Sequence, residues 1–195
     1  MIGIVNQALR SWLIERAGRA CWLAVSESSG VGQANFLTFE EYPDDITLRL
    51  AEKTSELLGI SCEQVLGEAG KFWITHRGPA VYGELMEFSA ETFADYLRNM
   101  DRLHTSLVAS LPGLRAPFMC NFQFQDAGLT IAYPSELEAF KPFLAGSLKA
   151  LAQRFGTEIE ISEATPLDDG GFAFEIDAGQ ASLNPNGSPT FPLAE

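Results

Sequence analysis

The hydrophobic period of the chain first changes at the helix-breaking residues Pro112, Gly113 and Pro117. Before this point, apolar residues recur at i, i+3, i+4 and i+7, which is the spacing of amphipathic helices. After it, short segments alternate apolar and polar side chains, as strands with one buried face do. We therefore predict an α+β fold in one domain over 1–177. A helical lobe over about 1–60 precedes a mixed lobe over about 61–177 with a four-stranded antiparallel sheet.

Capping and stop signals predict helix boundaries in the first half. Asp44 and Asp45 mark the start of one helix, and Gly59 marks its end. Ser61 is expected to cap the next helix, with Gln64 as its capping-box partner. The first of these two helices is expected to turn three side chains inward, namely Ile46, Leu50 and Leu57.

The second half alternates between strands and one helix. A hairpin is expected where the sequence Asp126-Ala127-Gly128 separates two alternating segments. A helix follows over 138–155, and residues 178–195, rich in Pro, Gly, Ser and Asn, are expected to form a flexible tail. The four predicted strands are 121–125, 129–133, 158–162 and 171–177.

Charge and composition limit the classes of partner. The formal net charge is −13, which disfavours nucleic acid or an anionic membrane as a partner. No apolar run is long enough to span a bilayer, so we expect no membrane insertion. The three cysteines are too scattered for a disulfide framework. We therefore expect a cytoplasmic protein with reduced thiols, whose ligand is a basic protein surface or a small uncharged molecule.

His104 is the most informative single residue. It falls on the apolar stripe of a helix that runs from Phe93 toward Pro112, with Ser89 as the expected cap. From the residues alone, two interpretations stay open. His104 is either a neutral core histidine that is hydrogen-bonded by its neighbours or a ligand of a buried metal or haem iron.

Several segments, taken in order, carry a recognisable pattern: MIGIVNQAL, YPDDITLRL, GKFWITH with YGEL, NMDRLHTSLVASLPGLRAPFMC and IAYPSEL. Together they resemble the haem-nitric oxide/oxygen binding family (H-NOX, also HNOB), which includes the haem domain of soluble guanylate cyclase. The likeness covers about residues 1–177, and 99–120 is its most specific part. The resemblance implies haem b as cofactor and His104 as the proximal iron ligand. It also places Pro117, thirteen residues after His104, against the macrocycle.

The resemblance also implies a clamp for the haem propionates. Tyr133 and Ser135 match the first two residues of the YxSxR motif of the family. Side chains two apart in an extended segment share a face, so the three positions of the motif project together. Position 137 is Leu137 instead of arginine. Arg115 and Lys141 are the candidates for the missing positive charge.

On the distal side, the resemblance places Pro142 where oxygen-binding members carry a tyrosine donor. A pocket without a hydrogen-bond donor leaves the partial negative charge on bound oxygen unstabilised. It lowers the affinity for nitric oxide only a little. The expected distal neighbours are all apolar: Val5, Ile74, Phe143, Leu144 and Gly146.

These residues predict a haem-based nitric oxide sensor without catalytic activity. By resemblance, weakening of the bond between His104 and iron would shift the lobes and change the fit to a partner. In the family that this chain resembles, single-domain bacterial members look like regulators of a partner enzyme. That partner is a separately made histidine kinase or cyclic-di-nucleotide enzyme. Because Leu137 replaces the clamp arginine, the alternative is a relative that binds haem weakly or not at all and acts as a protein-interaction module.

The remaining candidate residues have simpler interpretations. His76 is expected at a helix end or on the surface. Asp44 and Asp45 are expected to stabilise the first turn of a helix and not to bind a metal. Cys120 is expected to be a buried structural thiol, although its position near Pro117 leaves a place beside the haem open. No paired carboxylates, nucleophile motif or phosphate loop at a useful spacing point to an enzyme.

Overall fold

The computed structural model describes residues 3–32, 35–38, 40–77, 90–110, 121–124, 128–133, 140–163, 165–168 and 172–177. Within these ranges, helices precede the sheet, apart from one helix inserted between strands. The helices are α1 (Gly3–Ala17), α2 (Arg19–Ser28), α3 (Asp44–Leu58), α4 (Cys62–Phe72), α5 (Phe93–Ser110) and α6 (Lys141–Arg154). A π-helical turn, Trp73–Arg77, follows α4 directly. The strands are β1 (Asn121–Phe124), β2 (Gly128–Tyr133), β3 (Glu160–Ile161), β4 (Thr165–Pro166) and β5 (Phe172–Asp177).

The predicted caps around α3 and α4 are confirmed. Gly59 ends α3 in the left-handed conformation, with φ of 67°, which glycine adopts without steric cost. Ser61 Oγ accepts a hydrogen bond from Gln64 N at 3.1 Å, and Gln64 Oε1 accepts one from Ser61 N at 3.0 Å. The two helices are therefore separated by local chemistry that the sequence carries by itself.

The buried face of α3 differs from the predicted one. Leu57 is 47% exposed, so its predicted inward orientation is wrong. The buried residues of α3 are Thr47, Leu50, Ala51 and Thr54, which follow the i, i+3, i+4, i+7 pattern. The two threonines are accommodated because each hydroxyl has a partner. Thr47 Oγ1 donates to Asn6 Oδ1 at 2.7 Å, and Thr54 Oγ1 donates to the Leu50 carbonyl at 2.7 Å.

The α+β class is confirmed, and the antiparallel sheet has four positions. Its order is β1-β2-β5, and the far edge of β5 pairs with both β3 and β4. The predicted hairpin is β1 with β2, in which Phe124 pairs with Leu129. The fourth position is divided between two short strands, because the chain leaves β5 after Ile161 and returns at Thr165. Pro166 was expected in the connection, but it lies in β4 at the edge of the sheet, where its missing N–H costs little.

The chain divides into two compact units. The first comprises Met1–Val81 and Leu137–Leu148, and the second comprises Tyr82–Glu136 and Lys149–Glu195. The first unit extends beyond the predicted lobe boundary near residue 60 because α4 packs against α1 and α3. The second unit contains α5 and the sheet, with Leu129, Ile131, Phe174 and Ile176 in its core.

In the first unit, α4 and the first half of α6 approach each other at backbone distance. A Cβ added at Gly70 would overlap with the carbonyl oxygen of Phe143, and one added at Gly146 would overlap with the carbonyl oxygen of Gly67. The two helices can therefore lie this close only because these positions have no side chain.

Gly146→Ala is expected to lower the free energy of unfolding by about 1–3 kcal/mol, because the new methyl group has no space beside α4. Gly67→Ala is the matched control on the facing helix. A Cβ there would meet only the Pro142 carbonyl oxygen at 3.6 Å, so we expect no loss. Urea unfolding of the three proteins checks this, and equal stability of the two variants would contradict the packing argument.

Candidate functional site

The helix that carries His104 is α5, and Thr92 caps its first turn. Thr92 Oγ1 accepts a hydrogen bond from Asp95 N at 3.1 Å and donates one to Asp95 Oδ2 at 2.7 Å. The predicted cap, Ser89, lies outside the described residues, and the capping contacts belong to Thr92. Since a cap satisfies the free N–H groups at the helix start, α5 begins at Phe93 and His104 lies in its C-terminal half.

The apolar stripe of α5 is confirmed in its N-terminal part. Phe93, Tyr96 and Leu97 are buried, and α5 packs against β1 within the second unit. The backbone of His104 continues the same helix. The inward direction of its ring remains a prediction from the helical period.

Tyr96 is a buried polar residue on this helix. Its ring lies 5.5 Å from that of Phe155, measured between centroids. Among the described residues, its hydroxyl has no hydrogen-bond partner, and the residue is 4% exposed. Burial raises the pKa of Tyr96 to about 12, while the positive charge of Arg154 acts in the opposite direction. The phenol is therefore held neutral in an apolar environment.

Of the predicted propionate clamp, the structure describes only the backbone of Tyr133. Tyr133 is the last residue of β2 and pairs with Phe172 of β5. The sheet therefore fixes the backbone position of Tyr133. The other predicted residues on this side lie outside the described residues: Arg115, Pro117, Cys120, Ser135 and Leu137.

The predicted distal residues all belong to the first unit. Val5 on α1 is fully buried, and Phe143 and Leu144 on α6 are also buried. Ile74 lies on the π-helical turn and is 9% exposed. These four residues offer only hydrocarbon surface, which suits an apolar ring and small uncharged ligands.

One helix, α4, connects the elements that carry these distal residues. It packs against α1, which holds Val5, and it continues into the turn that holds Ile74. Gly67 and Gly70 bring it to the first half of α6, which holds Leu144. The position of Gly146 against α4 gives this residue a packing role in the structure.

Two further polar candidates, Lys141 and His76, lie at the surface or near it. Lys141 is the first residue of α6 and is half-buried. His76 is exposed, as expected for a residue near a helix end, and its ring stacks on that of Phe72 at 4.4 Å. His76 contacts the adjacent Thr75 and also Glu15 on α1. The contact with Glu15 could not be predicted, because the sequence does not show which part of α1 lies beside the turn.

A separate groove of about 560 Å³ lies on the second unit. Its lining includes both signs of charge, from Lys149, Glu158, Glu160 and Asp177. A charged and open lining does not suit an apolar macrocycle, so this groove is distinct from the predicted haem residues.

The sequence analysis missed one buried polar contact in the first unit. Asn6 is fully buried, and its Oδ1 accepts the hydrogen bond of Thr47. Its Nδ2 has no partner. The sequence signal was present, since Asn6 lies next to Val5 and three residues before Leu9, both buried residues of the same helix. A buried amide in such a place needs a specific hydrogen bond.

With the fold and these residues established, comparison with known proteins gives the family. Residues 2–163 match the model of the Haem-NO-binding family, HNOB. The chain belongs to this family, as its motifs predict. It is 27% identical to soluble guanylate cyclase gcy-33 of Caenorhabditis elegans over 90% of this chain and 19% of that protein. It is 24% identical to soluble guanylate cyclase 89Da of Drosophila melanogaster over 82% of this chain and 24% of that protein.

Solved structures confirm the H-NOX fold. An oxygen-binding H-NOX domain related to soluble guanylate cyclases, solved as its oxygen complex, superposes with a TM-score of 0.75 at 18% identity. The match covers 98% of this chain and 100% of that one. An H-NOX protein from S. oneidensis in the Fe(II)NO state gives a TM-score of 0.72 at 16% identity, over 91% of this chain and 98% of that one. Within the described ranges, every helix is too short or too polar to cross a lipid bilayer.

Tyr96→Phe is expected to raise the free energy of unfolding at neutral pH by roughly 1 kcal/mol, because it removes a buried hydroxyl without a partner. Tyr42→Phe is the matched control with the opposite sign. The Tyr42 hydroxyl accepts from Leu37 N at 2.9 Å and donates to Glu40 Oε2 at 3.1 Å. Chemical unfolding measures both changes, and a loss of stability in Tyr96→Phe would contradict the assignment.

The same residue predicts a pH dependence at alkaline pH. The folded-state pKa of Tyr96, about 12, lies above its ordinary value of 10.0. Below about pH 10 the phenol is neutral in both the folded and the unfolded protein. Above this pH the unfolded chain loses the proton first, so the free energy of unfolding falls as the pH rises toward 12. The wild-type protein should lose stability more steeply than Tyr96→Phe over this interval. Parallel stability curves for the two proteins would rule this out.

Proposed function

We propose that this chain is a haem-dependent nitric oxide sensor that signals to a separate protein. The observation that carries the proposal is the family match over residues 2–163, together with a histidine in the C-terminal half of α5. Haem iron would bind the gas. This chain would supply the protein ligand of the iron and the pocket around the haem, and it would transmit the signal.

The residues available fit a haem b group. Histidine imidazole is the usual protein ligand of such an iron, which assigns this role to His104. The buried hydrocarbon of Val5, Ile74 and Leu144 matches the apolar face of a macrocycle. Pro117 would press on the opposite face.

The propionates would be held by a modified clamp. Tyr133 and Ser135 would donate hydrogen bonds to the propionates. Arg115 or Lys141 would supply the positive charge of the motif arginine, because position 137 is Leu137. A guanidinium or an ammonium gives charge-assisted hydrogen bonds to a carboxylate, so the positive charge need not come from position 137. Where a propionate reaches water, the loss of one such bond costs little.

Selectivity for nitric oxide over oxygen would follow from the distal residues. Bound oxygen carries partial negative charge and is stabilised by a nearby donor, whereas nitric oxide has little need of one. Pro142 has no donor, and the buried side chains Val5, Ile74, Phe143 and Leu144 are hydrocarbon. This chain would therefore discriminate by leaving oxygen unstabilised.

The signal would start at His104, which would hold the iron and transmit the binding of nitric oxide to the protein. Because His104 belongs to α5, release of its side chain would move this helix and the second unit to which it belongs. The chain spans only about a fifth to a quarter of the guanylate cyclases that it matches. We propose that it acts as the sensor part, without catalysis, on a histidine kinase or a cyclic-di-nucleotide enzyme in the cytoplasm.

A haem-free protein-interaction module is the second candidate, and Leu137 is the residue that favours it. The two functions differ in one measurable property, which is stoichiometric haem binding that depends on His104.

Reconstitution with haem under reducing conditions tests the proposed function. We expect a Soret band that shifts on addition of nitric oxide, and we expect His104→Ala to lose it or to shift it. The chain has only two histidines, so His76→Ala is a matched control that should behave like the wild type. If no His104-dependent band forms, the interaction module becomes the better interpretation.

Exposure of the reduced, haem-loaded protein to air tests the selectivity. Without a distal donor, we expect no stable oxygen-bound spectrum, while nitric oxide still gives its own spectrum. A persistent oxygen complex would show that the distal side holds a donor and that the argument from Pro142 is wrong.

A further inference from the structure

His76 is held in one orientation by contacts on three sides. Its ring lies parallel to that of Phe72, with a centroid distance of 4.4 Å and an interplanar angle of 9°. Its Nδ1 is 2.7 Å from Thr75 Oγ1, and its Nε2 is 3.7 Å from Glu15 Oε1 on α1. All four residues belong to the first unit. An exposed side chain usually changes rotamer freely, so this degree of constraint needs a reason.

The hydrogen bonds of Thr75 decide which ring nitrogen carries the proton. The Thr75 hydroxyl has a single hydrogen, and it donates this hydrogen to the Lys71 carbonyl at 3.0 Å. Thr75 Oγ1 can then only accept from the ring, so Nδ1 is the protonated nitrogen. In the neutral ring, Nε2 therefore has a free lone pair. This lone pair is accessible from solvent, because the His76 side chain is 52% exposed, and it lies beside a carboxylate.

We propose that His76 and Glu15 form a surface site for a divalent transition-metal cation of the Zn²⁺ or Cu²⁺ type. Zn–N and Zn–O bonds are about 2.0–2.2 Å, so two ligands of one tetrahedral ion lie roughly 3.4 Å apart. The observed separation of 3.7 Å needs only a small adjustment of either side chain. Imidazole and carboxylate are ligands that these ions accept.

The surroundings of His76 have the arrangement found around metal-bound histidines. In such sites the second ring nitrogen donates a hydrogen bond, which fixes the tautomer and aims the other nitrogen at the ion. Thr75 Oγ1 accepts this hydrogen bond from Nδ1, and the ring of Phe72 stacks on one face of the imidazole. No third His, Cys, Asp or Glu joins the pair within the described residues, so water would complete the coordination. The 60% exposure of Glu15 leaves room for it.

A cation at this site would connect two elements of the first unit. Glu15 is near the end of α1, and His76 lies on the π-helical turn that also carries Ile74. Such turns occur frequently at functional sites. The proposed site uses no haem-binding residue, so it stands or fails independently of the proposed sensor function.

Titration of the full chain with Zn²⁺, followed by the ¹⁵N resonances of the histidine rings, tests the site. We expect Zn²⁺ to shift the Nε2 resonance of His76, and the binding to weaken in acid because protons compete for the same lone pair. His76→Gln should abolish this binding, and Glu15→Gln should weaken it. Thr75→Val leaves both ligands in place but removes the orienting contact, so it should lower the affinity about ten- to a hundredfold.

Glu52→Gln is the control, since Glu52 is an exposed carboxylate on α3 and should not affect binding. All the substituted residues are exposed, and circular dichroism verifies that the variants fold. If the Nε2 resonance does not respond, or if Glu15→Gln binds Zn²⁺ as the wild type does, the proposal is overturned. His76 and Glu15 are then surface neighbours that bind no cation.

Discussion

The backbone contact between α4 and α6 is the constraint on which the first unit depends. Gly70 and Gly146 let the two helices approach until the backbone of each lies against the backbone of the other. Close packing of this kind cannot tolerate even one added methyl group. It fixes the position of Leu144 on α6 relative to the turn that carries Ile74, and both belong to the first unit. The predicted distal residues on α6 and on the π-helical turn are therefore positioned by the close packing of glycines.

In the second unit, β5 has the corresponding role. It pairs with β2 along its whole length on one side and with the short strands β3 and β4 on the other. Tyr133 is held at the end of β2 by its pairing with Phe172, so the register of the sheet decides where the predicted clamp begins. The two residues proposed to bind haem whose backbones are described, His104 and Tyr133, thus lie on regular elements. Rigid placement is what a geometrically demanding cofactor needs.

The buried polar groups are few, and they divide into two kinds. Thr47 and Thr54 have partners, so their burial on α3 costs little. Asn6 Nδ2 and the Tyr96 hydroxyl have none, so each lowers the stability of its unit. An unpaired group in an otherwise apolar core is where a single substitution can stabilise the protein. Tyr96 and Asn6 lie on α5 and α1, which also carry His104 and Val5.

The sequence by itself determined the helices with strong periods, the capping box at Ser61, the hairpin of β1 and β2, and the family through the segment around His104. These features are local, because a cap or a turn is made by residues a few positions apart. Only the tertiary structure decided that Thr47 instead of Leu57 lies on the buried face of α3. It also decided that β3 and β4 share one edge of β5, and that Glu15 meets His76. In each case the deciding interaction joins residues that are distant in the chain. Thr47 is satisfied in the core because another helix brings Asn6 to it, and no local pattern can show which surfaces will meet.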